Sequence, residues 1–374
     1  MPEPRVIYIA GFNIRRNAGR NNATRQKAAA LAHLAGPDRF RFYCPPYSRW
    51  RVIAYLWVLV FDLLMFARLL FVDNNARIFQ RTTFLPLTNI YLRIRGIVIL
   101  YELHTDMRWE IAHYQRSLFE KLVLRIYVLF EELNLRMATG IIYNHPVLQA
   151  IMSRRYPKPC TYSYNGANTT AFFPMDKFQC RKQLGLDDTR TYYLFSGSLV
   201  KWRGLENLIQ IFRAHMSAED ILLIIGRRDH PYGRELSASA AGAANIQFID
   251  HVSEERLATY INAADLCLVP VNPVLQSPGN PLKLYDYIAC GKPVAGQENM
   301  PGCSDEILRW NVGVVTDFKD TERAARELED FVRHHDATMY SMHNRTVAET
   351  HLSWRERMKS WMAFAFDDER LQRR

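Results

Sequence analysis

The sequence predicts an α/β protein built from two doubly wound parallel-sheet domains, and three observations carry that prediction. Beyond about residue 165, apolar strand-like runs alternate with helical periodicity across short loops, the pattern of a parallel sheet covered by helices. The chain opens on a buried-type strand, Arg5 to Ala10, which Gly11 ends ahead of a polar loop and a helix. A length of 374 residues, 48 % hydrophobic and 23 % charged, is enough for two globular cores. The predicted division is 1–165 for the first domain, joined by a returning C-terminal helix within 350–374, and 166–349 for the second.

In the first domain the loop after Gly11 carries Arg15, Arg16, Gly19 and Arg20 before Lys27 to Leu34 resumes as helix. A strand, a Gly-containing loop and a helix form a site at the carboxyl end of a parallel sheet, so Gly11, Arg15, Gly19 and Arg20 are candidates there. The spaced glycines of dinucleotide and P-loop fingerprints are absent.

Val52 to Val72 is a 21-residue apolar stretch interrupted by Asp62 and Arg68 and preceded by Arg49, Trp50 and Arg51. It has the length of a membrane span. Each central charge would cost about 2.5–3.5 kcal/mol on insertion scales, and a span would leave the strand-like Arg77 to Thr82 on the far side. The expectation is a helix buried in the fold or lying partly in a membrane interface, where the flanking Arg and Trp fit.

Ile97 to Leu100 reads as a central strand that delivers His104 and Asp106 at its carboxyl end. Leu118 to Met137 is amphipathic, with Lys121, Arg125, Glu132 and Arg136 placed for i,i+4 pairing.

Tyr162 to Pro174 contains an Asn-Gly turn and reads as the crossover between domains. Strands are expected at Tyr192 to Ser196, Ile221 to Ile225, Ile246 to Ile249 and Leu266 to Val269, with helices at Leu205 to His215 and Glu254 to Ala263. Ligands of such sheets bind beyond the carboxyl ends of the strands. There stand Lys201 and Arg203 in a Gly-bounded loop with Ser198, then Gly226 and Arg227, then the turn at His251 and Val252.

The most informative stretch is Ser277 to Gln297. Gly279 lies in its opening loop, Asn280 reads as an N-cap with Pro281 at the first helical position, and Leu282, Lys283 and Asp286 follow before Gly291 stops the helix. A cation in a first turn opposes the helix dipole, so Lys283 is better explained by an anionic ligand. Asp286 is placed to meet sugar hydroxyls, and phosphate with ribose is the combination suggested.

The formal net charge of +10 is uneven. Residues 1–165 hold 23 Lys and Arg against 10 Asp and Glu, the remainder 25 against 28. Such asymmetry suits an anionic membrane surface or nucleic acid. No zinc, RNA-recognition or helix-turn-helix pattern supports nucleic acid. Six cysteines without a C-x-x-C pair give no structural metal, and the N-terminal sequence lacks a signal-peptide pattern, so a reduced cytoplasmic protein without metal or cofactor is expected.

These residues resemble the retaining glycosyltransferases of family 4 (glycosyl transferases group 1), which have the GT-B fold of two facing Rossmann-like domains and an interdomain cleft. The resemblance is carried by YNGANTTAFFP, by SGSLVKWRG, by Ala264-Asp265 leading to Pro270, and by YDYIACGKPVAG. It spans about residues 160–316; in the first half only the opening strand and ELHTD are similar. It implies that Arg203 holds a donor diphosphate, that Asp286 binds ribose, and that His104 faces the transferred sugar. Ser198 stands where the family has arginine, with Lys201 one loop step later, and Pro278 replaces the first glutamate of the family's paired-glutamate motif.

The resemblance thus implies transfer of a hexose-type sugar, with retention and without metal, from a nucleoside-diphosphate sugar to a hydroxyl. Arg203, Lys201 and Lys283 would stabilise the leaving diphosphate. The basic, apolar first half adds the expectation of a polyprenyl-linked or other glycan acceptor at the inner face of the cytoplasmic membrane, in cell-surface or extracellular polysaccharide synthesis. Competing readings are a non-catalytic GT-B protein that binds nucleotide sugar or membrane, and an integral protein anchored by 52–72. Ser353 to Phe366 reads as the helix that returns to the first domain, where its tryptophans would pack.

Overall fold

The computed structural model describes residues 5–15, 19–46, 51–106, 108, 118–272 and 280–372. Two compact units emerge. One gathers the chain up to Asn165 with the helices that begin at Trp354; the other comprises the described residues from Gly166 to Ser353.

The first unit holds a six-stranded sheet of order β2-β1-β3-β4-β5-β6, with β1 Val6–Ala10, β2 Phe40–Tyr43, β3 Arg77–Arg81, β4 Val98–Leu103, β5 Gly140–Tyr143 and β6 Cys160–Tyr162. The second holds β12-β11-β10-β7-β8-β9, with β7 Thr191–Ser196, β8 Asp220–Ile225, β9 Ile246–Ile249, β10 Leu266–Val269, β11 Val294–Gln297 and β12 Gly313–Thr316. Every pairing is parallel. The central strands are continuous apolar runs because helices cover both faces, and the core lies between sheet and helices, as in the cluster of Phe195, Leu208, Phe212, Leu222, Ile224 and Leu268.

One element of the first unit differs from the sequence expectation. The helix after β1 is Gly19–Ala35, eight residues longer at its start than Lys27 to Leu34, so Gly19 and Arg20 are helical rather than loop residues. The polar stretch forms helix because Asn21 and Thr24 are buried, Thr24 receiving the Arg81 guanidinium at 2.9 Å.

The apolar stretch forms helix Arg51–Leu69, and among the described residues no helix is long and apolar enough to cross a membrane. Asp62 in its middle is buried and accepts from the amides of Leu87 and Thr88 at 2.9 and 3.1 Å and from the Thr88 hydroxyl at 2.6 Å. It supplies the cap that helix Pro86–Ile94, whose N-cap is Leu85, lacks of its own. Phe61, Met65 and Leu69 face the core, whereas Val60, Leu63 and Leu64 are exposed.

Helix Leu118–Met137 matches its expected bounds, and Glu132 pairs with Arg136 at 2.8 Å and also with Arg108. Helix Trp354–Ala365 packs on Gly19–Ala35. Its Trp361 is fully buried, stacked on Phe79 at 5.4 Å and edge-on to Tyr8, and Arg77 ties the helix end to β3 through the Ala365 carbonyl and Asp368.

Candidate functional site

In the second unit the helix of the Ser277 to Gln297 stretch is Leu282–Ala289, and its N-cap position is Pro281 rather than Asn280. Asn280 is buried and turns its amide away, to the Tyr285 hydroxyl and the Gly302 carbonyl, and among the described residues no side chain caps this helix. Its first amides are left to face the loop side. Gly291 ends the helix with φ +71, packed so close to Ser341 that a side chain would collide.

The loop after β7 is held against this helix. The Ser196 amide donates to the Tyr287 hydroxyl at 2.9 Å, and a Cβ at Gly197 (φ +136) would lie 2.9 Å from Lys283 Nζ. Gly226 closes the other side, where a Cβ would meet the Gly197 carbonyl at 2.3 Å. The loop continues as a 3-10 turn, Lys201–Arg203, pinned by Asn272 donating to the Trp202 carbonyl at 2.9 Å; the Arg203 guanidinium lies 3.9 Å from the Trp202 ring centroid.

Lys283 Nζ sits 3.5 Å from the Phe195 ring centroid, buried, with no hydrogen-bond acceptor among the described residues. Burial first and the Arg203 charge second hold its pKa well below the usual lysine value. A cation crowded by a cation at a helix N-terminus is electrostatically suited to an anion.

Asp286, one turn on, is half-buried. Burial, with Glu254 adding to it, pushes its carboxyl up to about 8. Ser198, Lys201 and Arg227 are exposed on this side, and Leu282 and Val252 half-buried. Gly279 and Pro278 lie outside the described residues.

In the first unit, His104 stands at the carboxyl end of β4 inside a charged cluster. Glu102 is buried and bonded to Lys27 and to His104 Nε2, receives the Tyr8 hydroxyl at 3.0 Å, and has Arg81 at 3.9 Å. His104 Nδ1 meets the Asn144 amide at 3.2 Å, so both ring nitrogens are engaged, and the side chain is 23 % exposed. Burial, then Arg81, lower the imidazole pKa to about 3. Burial alone would raise Glu102, but Lys27, Arg81 and His104 hold it well below the usual carboxylate range, while burial brings Lys27 down to about 8.

Sequence reasoning found His104 and missed Lys27, Arg81, Tyr8 and Asn144, which come from four other elements. Asp106 accepts from the Arg108 amide at 3.0 Å. Gly11 is a close-approach residue, a Cβ there lying 2.0 Å from the Thr82 carbonyl; Arg15 is exposed, and Arg20 lies over the Phe12 ring at 4.0 Å. Arg16, Arg49 and Trp50 are outside the described residues. No cluster of metal-ligating side chains occurs among the described residues.

Residues 176–346 match the family model described as Glycosyl transferases group 1. The chain is 28 % identical over 177 residues to the D-inositol 3-phosphate glycosyltransferase of Rhodococcus opacus (strain B4), a match covering 45 % of this chain and 39 % of that relative's length. Among solved structures, sucrose-phosphate synthase from Thermosynechococcus elongatus superposes with a TM-score of 0.65 at 19 % identity, covering 99 % of this chain and 98 % of that one. WaaG, a glycosyltransferase involved in lipopolysaccharide biosynthesis, gives 0.68 at 16 %, covering 96 % and 99 %. Anabaena HepE, in complex with UDP and glucose, gives 0.66 at 15 %, with the same coverage.

Proposed function

From residues 176–346 as a glycosyl transferases group 1 segment carried on a GT-B glycosyltransferase fold, we propose that this protein transfers a sugar from a nucleoside-diphosphate sugar to a hydroxyl acceptor. The observation that carries the reading is Lys283, whose buried ammonium has no hydrogen-bond acceptor among the described residues and lies at a helix N-terminus beside Gly197 and Arg203. A diphosphate supplies the charge this corner lacks, and Asp286 lies within one turn for the ribose.

In the reaction the bond from the anomeric carbon to the diphosphate oxygen breaks, and the electron pair leaves with the diphosphate. Lys283, Arg203 and Lys201 stabilise that growing charge without a metal, an effect commonly worth several kcal/mol. The acceptor oxygen bonds to the same face of the sugar, giving retention, and its proton passes to the departing diphosphate. His104, neutral across the working range, serves the sugar as a hydrogen-bonding group rather than as a charge.

The acceptor we assign is a lipid-linked glycan, polyprenyl-linked or other, at the cytoplasmic membrane face in polysaccharide synthesis, with the protein peripherally bound. Supporting this are the neighbouring helices Arg51–Leu69, Pro86–Ile94 and Leu118–Met137, on which Leu63, Ile94 and Leu129 are exposed by 60, 80 and 65 % and Arg68, Arg93 and Arg125 are exposed too, with Phe71 just past the first helix exposed by 94 %. Exposed apolar groups on elements that also expose cations suit an anionic lipid surface. Flotation with anionic vesicles at low salt checks it: failure to bind removes the membrane assignment and leaves the donor assignment standing.

The donor assignment is tested by thermal stabilisation with UDP, GDP, ADP, TDP and CMP and the matching sugar nucleotides. One diphosphate should raise Tm, and Arg203→Ala should lower turnover at least about tenfold with the fold intact. Undiminished transfer by that variant sinks the role of Arg203 at the leaving diphosphate. The second reading, a non-catalytic binder, draws on the engagement of both His104 nitrogens within the cluster; it requires that the protein tolerate loss of His104, His104→Ala leaving nucleotide-sugar binding unchanged.

A further inference from the structure

At the opposite end of the second sheet, a cavity of about 280 Å³ opens at the amino ends of β7, β10 and β11, lined among others by Lys177, Arg181, Arg190, Lys292, Asp188 and Asp265. Four cations thus face two acids. Asp265 is already committed: Oδ1 holds Lys177 at 3.0 Å, and Oδ2 holds Arg181 at 2.6 Å and the Tyr192 amide at 2.8 Å. Asp188 is exposed, and Arg190 donates to the Ala218 carbonyl at 2.7 Å and meets the exposed Asp187 and Glu219 at 3.6 and 3.4 Å.

The Lys292 ammonium has no hydrogen-bond or ion-pair partner among the described residues, although burial holds its pKa below the usual lysine value. A half-buried ammonium without a partner among the described residues, in a cavity whose central acid already holds two cations, is unfavourable until an anion arrives. Arg190 adds the planar fork suited to phosphate oxygens, and Thr191, Ser341 and His335 add polar groups to the wall.

We propose that this cavity is a second anion site, taking the phosphomonoester of a small metabolite, a sugar phosphate rather than a nucleotide sugar. Its volume lies at the lower edge of small-molecule pockets. The proposal stands independently of the donor reading, since every residue it uses lies at the other end of the sheet. The two sites nevertheless are linked along the chain: Lys292 lies three residues beyond Ala289, the end of the helix whose first turn carries Lys283.

Titration calorimetry on the whole protein with glucose 6-phosphate, inorganic phosphate, glucose and a nucleoside diphosphate tests it. Glucose 6-phosphate should bind and glucose should not. Lys292→Gln and Arg190→Gln should each weaken glucose 6-phosphate at least about tenfold, the loss expected for one charge-assisted contact, and leave the nucleoside diphosphate unchanged. Lys283→Met should do the reverse. Because Lys292 is half-buried, Arg190→Gln, at a side chain 35 % exposed, keeps the test decisive if the first variant fails to fold. Inorganic phosphate binding as tightly as the sugar phosphate supports the anion site and removes the sugar. Absence of heat with either phosphate at millimolar concentration, affinity that survives both substitutions, or affinity lost in Lys283→Met overturns the proposal.

Discussion

Replacing Lys283 by methionine should move stability and ligand binding in opposite directions. In the empty protein its ammonium is buried, has no acceptor among the described residues, and rests 3.5 Å from the Phe195 ring centroid. Removing a buried unsatisfied donor relieves about 1–3 kcal/mol, while the lost contact with the ring costs about 0.5–2 kcal/mol. Methionine keeps an unbranched apolar stem, so packing changes little. A net gain of about 1 kcal/mol corresponds to a Tm higher by about 2–4 °C for a unit of this size.

The pH dependence carries the same signature. The folded-state pKa of Lys283 is depressed, so between that value and the ordinary 10.5 the unfolded chain binds more protons, and this group's contribution to stability rises with pH. The advantage of the methionine variant should therefore shrink toward alkaline pH. Binding should fall by about 10- to 100-fold in Kd, the worth of one charge-assisted contact. Scanning fluorimetry of the empty proteins across pH, with calorimetry of the preferred nucleoside diphosphate, reads both quantities. A variant that melts below wild type when empty and keeps full nucleotide affinity would refute the reasoning.

Three further outcomes follow from the geometry. Asp62→Ala strips the cap from helix Pro86–Ile94 and should cost about 2–3 kcal/mol, a drop of about 5–10 °C in Tm; a variant as stable as wild type would mean that Asp62 is not holding the fold. Asp286 keeps its proton to about 8 in the folded protein against 3.8 ordinarily, so the folded state binds more protons across that window and stability falls as pH rises through it. Asp286→Asn should flatten that slope and Glu254→Gln should shift its upper end to lower pH, both readable in Tm against pH. Gly226→Ala places a methyl 2.3 Å from the Gly197 carbonyl; the resulting strain of about 1–3 kcal/mol should displace the loop and weaken nucleotide binding more than it lowers Tm, and unchanged affinity would count against the loop's part in the site.

The sequence by itself placed the first four strands of the second sheet. Ile246–Ile249, Leu266–Val269 and the helix Glu254–Ala263 fall where alternation placed them, because a strand covered on both faces must be continuously apolar and its helices amphipathic. It also put Lys283 in the first turn of its helix, since a cation there is locally out of place and marks itself. Tertiary structure alone decided the rest. Asn280 reads as a cap and spends its amide on Tyr285 and Gly302 instead, partners that only folding brings near. The polar run from Gly19 becomes helix because Arg81, 57 residues from Thr24, gives it something to bury against. The apolar helix tolerates Asp62 because the amides of another helix lie over it. Around His104 the neighbouring sequence supplied Glu102, whereas Lys27, Arg81, Tyr8 and Asn144 arrive from separate elements. Periodicity and local charge record which face a residue turns inward; which side chain it will meet there depends on chain crossings that no local pattern encodes.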